Sequence, residues 1–230
     1  MFNRLSFLRL SIGLLAVPFL TMIAHAAGGG TATLGSPGEI LANHTSSLHP
    51  ISLAGVSISN FGVVDGRIYR GEQPAGKDYA ALAAIGVKTI IDLRGDAKTS
   101  AKRDAEAASL NYINIGIDGH GTPTDAQAIE FLKAVDDPAN GIVYVHCTGG
   151  KHRTGSMIAV YRMTHDGWTL DQAYKEMLAY DFYTGGGHEG FKTYVDNYYH
   201  RMTSDPSSVP VAYSSTAGVA KAAGISSASN

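Results

Sequence analysis

Val143-Tyr-Val-His-Cys-Thr-Gly-Gly-Lys-His-Arg-Thr-Gly155 decides the fold of this chain and holds its one cysteine. Val143 to His146 is a β-branched, apolar run of the kind that forms a buried strand. Glycines and bases follow, and from Arg153-Thr154-Gly155 an amphipathic run extends to His165. The pattern spells strand, tight loop, helix. Five residues separate Cys147 from Arg153, so a loop that curls on itself places a thiol and a guanidinium around one small anion.

Upstream and downstream of this stretch, apolar segments alternate in period. Strands are expected at 61–64 and 67–70, joined by Asp65-Gly66, a dipeptide suited to a left-handed hairpin turn. Further strands are expected at 87–93, 112–117 and 141–146. Helices are expected at 78–85, stopped by Gly86, and at 98–110. Others run from about 125 to 135, from 153 to 165, from a Thr169 cap to 180, and from 189 to 202. Strands alternating with helices predict a single α/β domain with a central, mainly parallel sheet flanked by helices. Ligands of such sheets bind at the carboxyl ends of strands, where Cys147 and Asp118 both fall.

The two ends read differently from the middle. Residues 1–26 combine Arg4 and Arg9, an apolar stretch broken by Pro18, and Ala24-His25-Ala26. That is the pattern of a secretory signal peptide, too short in its apolar part for a membrane span. Residues 27–50 read as a flexible linker and 203–230 as a disordered tail, leaving 51–202 as the folded domain. An exported protein, periplasmic or secreted, without a stable membrane span after cleavage, is the expectation. The net charge of −2 does not suggest a nucleic-acid partner. A single cysteine excludes an internal disulfide framework and an all-cysteine metal site within the chain. Neither a metal nor a cofactor is expected.

A thiol attacks best as thiolate, and cationic neighbours or a helix amino end lower its pKa. Lys151, His152 and Arg153 supply charge, and Gly149 and Gly150 let backbone N–H groups converge as an anion nest. The loop from Thr148 to Arg153 is therefore the candidate phosphate site. The planar Arg153 guanidinium suits two phosphoryl oxygens at once. Thr154 can donate its hydroxyl to the sulfur and His146 can order the loop. Asp118, opening a loop after a core strand, is the candidate proton donor, with Asp125 and His120 as alternatives. Arg70 and Arg94, at strand ends, are expected in ion pairs, with a place facing the phosphate site as the alternative. His188 is expected to be a plain loop residue, and the aromatic residues of 180–199 to pack helices.

His146-Cys-Thr-Gly-Gly-Lys-His-Arg-Thr-Gly155 resembles the signature of the cysteine-dependent protein tyrosine phosphatases. It looks most like the atypical dual-specificity branch of plants, fungi and bacteria. Asn60-Phe-Gly-Val-Val-Asp-Gly-Arg-Ile-Tyr-Arg-Gly-Glu-Gln-Pro74 and Gly86-Val-Lys-Thr-Ile-Ile-Asp-Leu-Arg94 are similar to the segments that open that branch's domain. The resemblance implies a dual-specificity phosphatase-like fold and a two-step reaction without metal. Cys147 is the implied nucleophile, Arg153 the phosphate clamp and Asp118 the acid. A phosphorylated protein or a small phosphorylated substrate is the implied partner. Inositol phosphates, inositol pyrophosphates and phosphoinositides form the alternative substrate class. Two further readings are a rhodanese-like sulfurtransferase, whose shorter active loop fits the spacing poorly, and a non-catalytic phosphate-binding module.

Overall fold

In the computed structural model, which describes residues 48–97 and 99–205, strands and helices alternate from β1 (Gly62–Val63) and β2 (Ile68–Gly71) onward. Helix α1 (Lys77–Ala84) leads to β3 (Val87–Arg94), and α2 (Thr99–Ala107) to β4 (Asn111–Ile117). Helix α3 (Asp125–Asp136) leads to β5 (Ile142–His146), and α4 (His152–His165), α5 (Leu170–Ala179) and α6 (Glu189–Ser204) follow. The expected leader at 1–26 lies outside the described residues, as do all but the last residues of the expected linker and all but the first of the expected tail. No helix among the described residues is long and apolar enough to cross a membrane.

The sheet has the strand order β1-β2-β5-β3-β4. β2 and β3 flank β5 in parallel, β4 runs parallel to β3, and only β1 is antiparallel, across its turn to β2. The α/β class with a mainly parallel sheet is therefore observed. Side chains alternate between the two faces of the pleat. On one face Ile91, Leu93, Val143 and Val145 pack with residues of α3, α4, α5 and α6. On the other, Ile90 and Tyr144 pack with Tyr79 and Leu82 of α1 and Ala105 of α2.

Thr124 and Thr169 close capping boxes with Gln127 and Gln172, which fixes the starts of α3 and α5. The sequence pattern misleads in α4. Its run reads as amphipathic, yet Met157, Ile158, Ala159, Val160 and Met163 are all buried, as are Ser156 and Arg162. The helix lies under the sheet with helical neighbours on other sides, so only His152, Tyr161, Thr164 and His165 keep partial access to solvent. Arg162 is tolerated there because Glu176 of α5, equally buried, takes its guanidinium at 2.8 Å. This places the amino end of a rigid, enclosed helix directly beneath the carboxyl end of the central strand.

Candidate active site

β5 ends at His146, and the next five residues curl before α4 begins. Unlike α3 and α5, α4 has no side-chain cap, so its first N–H groups are left for an anion. Gly150 has φ +67°, and a Cβ there would stand 2.4 Å from the carbonyl carbon and oxygen of Gly71. Only glycine fits a loop pressed this closely on β2. His146 is fully buried, with Nδ1 3.0 Å from the Cys147 carbonyl. A carbonyl only accepts, so Nδ1 carries the proton. Burial holds this imidazole below its ordinary value in spite of Asp92, which keeps it neutral.

Cys147 is 3 % exposed. Burial pushes its thiol up, but the Thr154 hydroxyl and N–H, the Arg153 guanidinium and the Lys151 N–H outweigh that, and the thiol lies below its ordinary value. Among the described residues the buried Thr154 hydroxyl has no acceptor by distance and angle, which leaves its proton free to turn to the sulfur. Arg153 reaches back over the loop, donating from Nη2 to Thr148 Oγ1 at 3.0 Å and from Nη1 to the Ile117 carbonyl at 3.4 Å. The sulfur is thus buried among donors, and its thiol is more acidic than usual.

Beside the loop opens a cavity of about 610 Å³ whose lining includes Asp96, Asp118, Gly119, His120, Thr148 and Arg153. Asp118 is exposed on this cavity, its Oδ1 accepting the His120 N–H at 2.8 Å in a turn of its own loop. Asp125 has a different employment: Tyr194 Oη and Arg201 Nη2 hold its Oδ1 at 2.9 and 2.8 Å. The alternative acid at that position is thus a tie between α3 and α6. His120 does reach the cavity. Asp96, which the sequence pattern did not single out, lies 3.6 Å from Arg153 Nη1. Its place just past the carboxyl end of β3 is the signal that could have found it.

Three expectations about charge need correction. The Lys151 ammonium pairs with Asp181 at 3.3 Å, and its stem lies across Gly149; its N–H is what it turns to the sulfur. His152 is not a source of positive charge. Its ring stacks on His188 at 3.7 Å and meets Tyr183 edge-on, and burial, with His188 next, lowers its pKa to about 4. His188 is consequently no plain loop residue, since it also stacks on His120 at 5.2 Å. Arg94 is in the ion pair expected of it, with Asp92 at 2.6 Å. Arg70 is not: it is fully buried, donates from Nη2 to the Gly150 carbonyl at 3.0 Å, and lies 3.8 Å over the Tyr180 ring. Phe182, Phe191, Tyr194 and Tyr198 are core residues, whereas Tyr183 is exposed.

With this geometry in place, residues 56–193 match the family described as DSP-PTPase phosphatase fused to NAD+ kinase. A probable tyrosine-protein phosphatase, DG1060, of Dictyostelium discoideum is 29% identical over 122 residues, covering 51% of this chain and 73% of that protein. The inositol diphosphatase DSP4 of Arabidopsis thaliana is 30% identical over 122 residues, covering 51% of this chain and 61% of its own length. The matched stretch thus spans about six-tenths of the plant relative. Among solved structures, the core catalytic domain of the PP-IP phosphatase SIW14 of S. cerevisiae superposes with a TM-score of 0.53 at 23% identity, covering 69% of this chain and 99% of that one. That likeness concerns the fold.

Proposed function

This chain belongs to the DSP-PTPase phosphatase family, and on that premise we propose that it hydrolyses phosphate monoesters through a phosphocysteine at Cys147. The observation that carries the proposal is the buried, donor-ringed thiol, whose loop neighbours Thr148 and Arg153 line an open cavity together with Asp118. The thiolate attacks phosphorus from the side opposite the ester oxygen. Arg153 holds two of the phosphoryl oxygens and the loop N–H groups hold the third, where the charge of the transition state is spread. As the P–O bond breaks, the leaving oxygen takes a proton from the Asp118 carboxyl. Water then attacks the phosphocysteine and gives a proton back to Asp118. The S–P bond breaks, phosphate departs, and the Thr154 hydroxyl supports the returning thiolate.

The cavity lining favours a substrate with a single phosphate. Among the described residues that line it, Arg153 is the one cation beside the carboxylates of Asp96 and Asp118. A densely phosphorylated ring would bring further negative charge against those carboxylates. A second reading, hydrolysis of an inositol diphosphate, is supported by the activity named for the Arabidopsis protein.

Vanadate-sensitive release of phosphate from an aryl phosphate by the purified chain tests the proposal. Cys147→Ser is expected to lower turnover by about 10⁴-fold or more. Release that survives this substitution, or none from the native chain, refutes it. Parallel assays with a phosphotyrosine peptide and an inositol pyrophosphate rank the two substrate classes, and faster turnover of the pyrophosphate favours the second.

A further inference from the structure

Three consecutive carbonyls of the phosphate loop are held from outside by one segment of the chain. The Gln73 N–H donates to the Thr148 carbonyl at 3.1 Å. Asn60 Nδ2 donates to the Gly149 carbonyl at 3.2 Å, and Arg70 Nη2 to that of Gly150 at 3.0 Å. The segment is brought there by the parallel pairing of β2 with β5, whose register sets Arg70 against Val145 and Gly71 against His146.

We infer that Asn60, Arg70 and Gln73 are positioning residues, which aim the N–H groups of Gly149, Gly150 and Lys151 at the phosphate by fixing the carbonyl of the same peptide unit on the other side. A peptide unit is planar, and in its trans form C=O and N–H point in opposite directions. No cis peptide bond occurs among the described residues. A carbonyl tied outward therefore turns its N–H inward. Lys151 gives independent support: its N–H is among the groups that hold the Cys147 thiol down. The inference deepens the phosphatase reading and takes its functional meaning from it.

Arg70 is the central member. Burying a guanidinium without a carboxylate in contact is costly, even with the Glu176 carboxylate acting on it from a distance, and an apolar side chain would satisfy packing alone. Among the described residues Nε and Nη1 have no hydrogen-bond partner, and the bond to Gly150 is made by the remaining nitrogen. The Tyr180 ring covers the cation. Asn60 holds a left-handed φ of +55°, which asparagine tolerates better than most residues. From there its amide reaches both the Gly149 and the Tyr180 carbonyls. Gln73 is anchored through its side chain, which accepts from Arg94 Nη1 at 2.6 Å while Asp92 locks Arg94.

The full chain carrying Arg70→Met, Arg70→Lys or Asn60→Gly tests this by two readouts that need no turnover. One is the pH dependence of Cys147 alkylation by iodoacetamide, and the other is protection of that thiol by tungstate. In folded Arg70→Met the alkylation midpoint is expected to move to higher pH and tungstate affinity to fall about tenfold to a hundredfold, the loss of a hydrogen bond from a charged group. Arg70→Lys restores part of that affinity. Asn60→Gly keeps the left-handed backbone, removes the amide, and shifts both readouts in the same direction by less. Native alkylation and tungstate affinity in both Arg70→Met and Asn60→Gly overturn the inference. If Arg70→Met does not fold, Asn60→Gly decides alone by the same readouts. A native chain that releases no phosphate while its variants shift both readouts loses the phosphatase reading and keeps the positioning one. An active enzyme with unshifted variants does the reverse.

Discussion

The two sides of the cavity are built to different standards. On one, the loop of Cys147 to Lys151 is tied at each of its first four carbonyls, by His146, Gln73, Asn60 and Arg70. Its Gly150 fits against the Gly71 backbone with no room for a methyl group. On the other, Asp118 and His120 are exposed, and their loop is shaped by a local turn bond, the stack onto His188 and the close approach of Gly121 and Thr122 to Gly190 at the start of α6. The contrast follows the chemistry. A phosphoryl group has the same shape in every ester, so its cradle gains from rigidity. In the proposed reaction the leaving group varies from ester to ester, which suits a donor on an exposed loop.

The comparison breaks most visibly at Gly150. Gly150→Ala is expected to lower kcat/KM by about 10²-fold or more, because displacement of the cradle by roughly an ångström suffices for that. It should also cost about 1–3 kcal/mol of stability through strain at a left-handed position, measurable by denaturant melts. A variant with native kinetics would mean that the loop is softer than its contacts imply.

Asp118→Asn comes next, with kcat reduced by about 10²-fold. The loss should be smaller for esters whose leaving group needs no proton, such as p-nitrophenyl phosphate, than for alkyl phosphates. An equal loss on both would move the proton transfer elsewhere. Asp96→Asn is expected to act oppositely. Without the carboxylate 3.6 Å from Arg153, phosphate meets less competition, and KM should fall about twofold to threefold with kcat unchanged, in keeping with an exposed ion pair.

The smallest effect is one of pH on stability. The His152 imidazole has a pKa of about 4 in the fold against 6.5 as its reference. The unfolded chain therefore binds more protons between those values, so the stabilisation from this group is complete above about pH 6.5 and is lost as pH falls toward 4. Native melting temperature should decline through that window. His152→Phe, which keeps an aromatic ring in the stack, should lessen the decline by about 2–4 °C.

The parts of the site that are contiguous in the chain were legible in the sequence, and its long-range contacts were not. Strand, loop and helix are contiguous from Val143 to His165, so local periodicity and glycine placement sufficed to read them. The ties on that loop come from Asn60, Arg70 and Gln73, delivered by a parallel strand pairing that no local pattern encodes. Arg70 was misread for the same reason: an arginine at a strand end pairs with a carboxylate as a rule, and only the register of β2 on β5 reveals its carbonyl partner. His152 was misread as a cation because the rings that bury it, Phe182, Tyr183, His188 and Phe191, are distant in sequence. The mistaken amphipathicity of α4 has a similar origin, since helices on its outer side bury what would otherwise meet water.

The ties from Asn60 and Arg70 join residues 89 and 80 positions apart, and this sets an order in time. The ribosome releases the ties first and the loop long afterwards, so the cradle assembles only when most of the domain has been made and β5 has entered between β2 and β3. Until then the lone thiol lacks the donors that make it acidic and behaves as an ordinary, sluggish cysteine. Reactivity is thereby withheld from the nascent chain and acquired in the same step that completes the sheet.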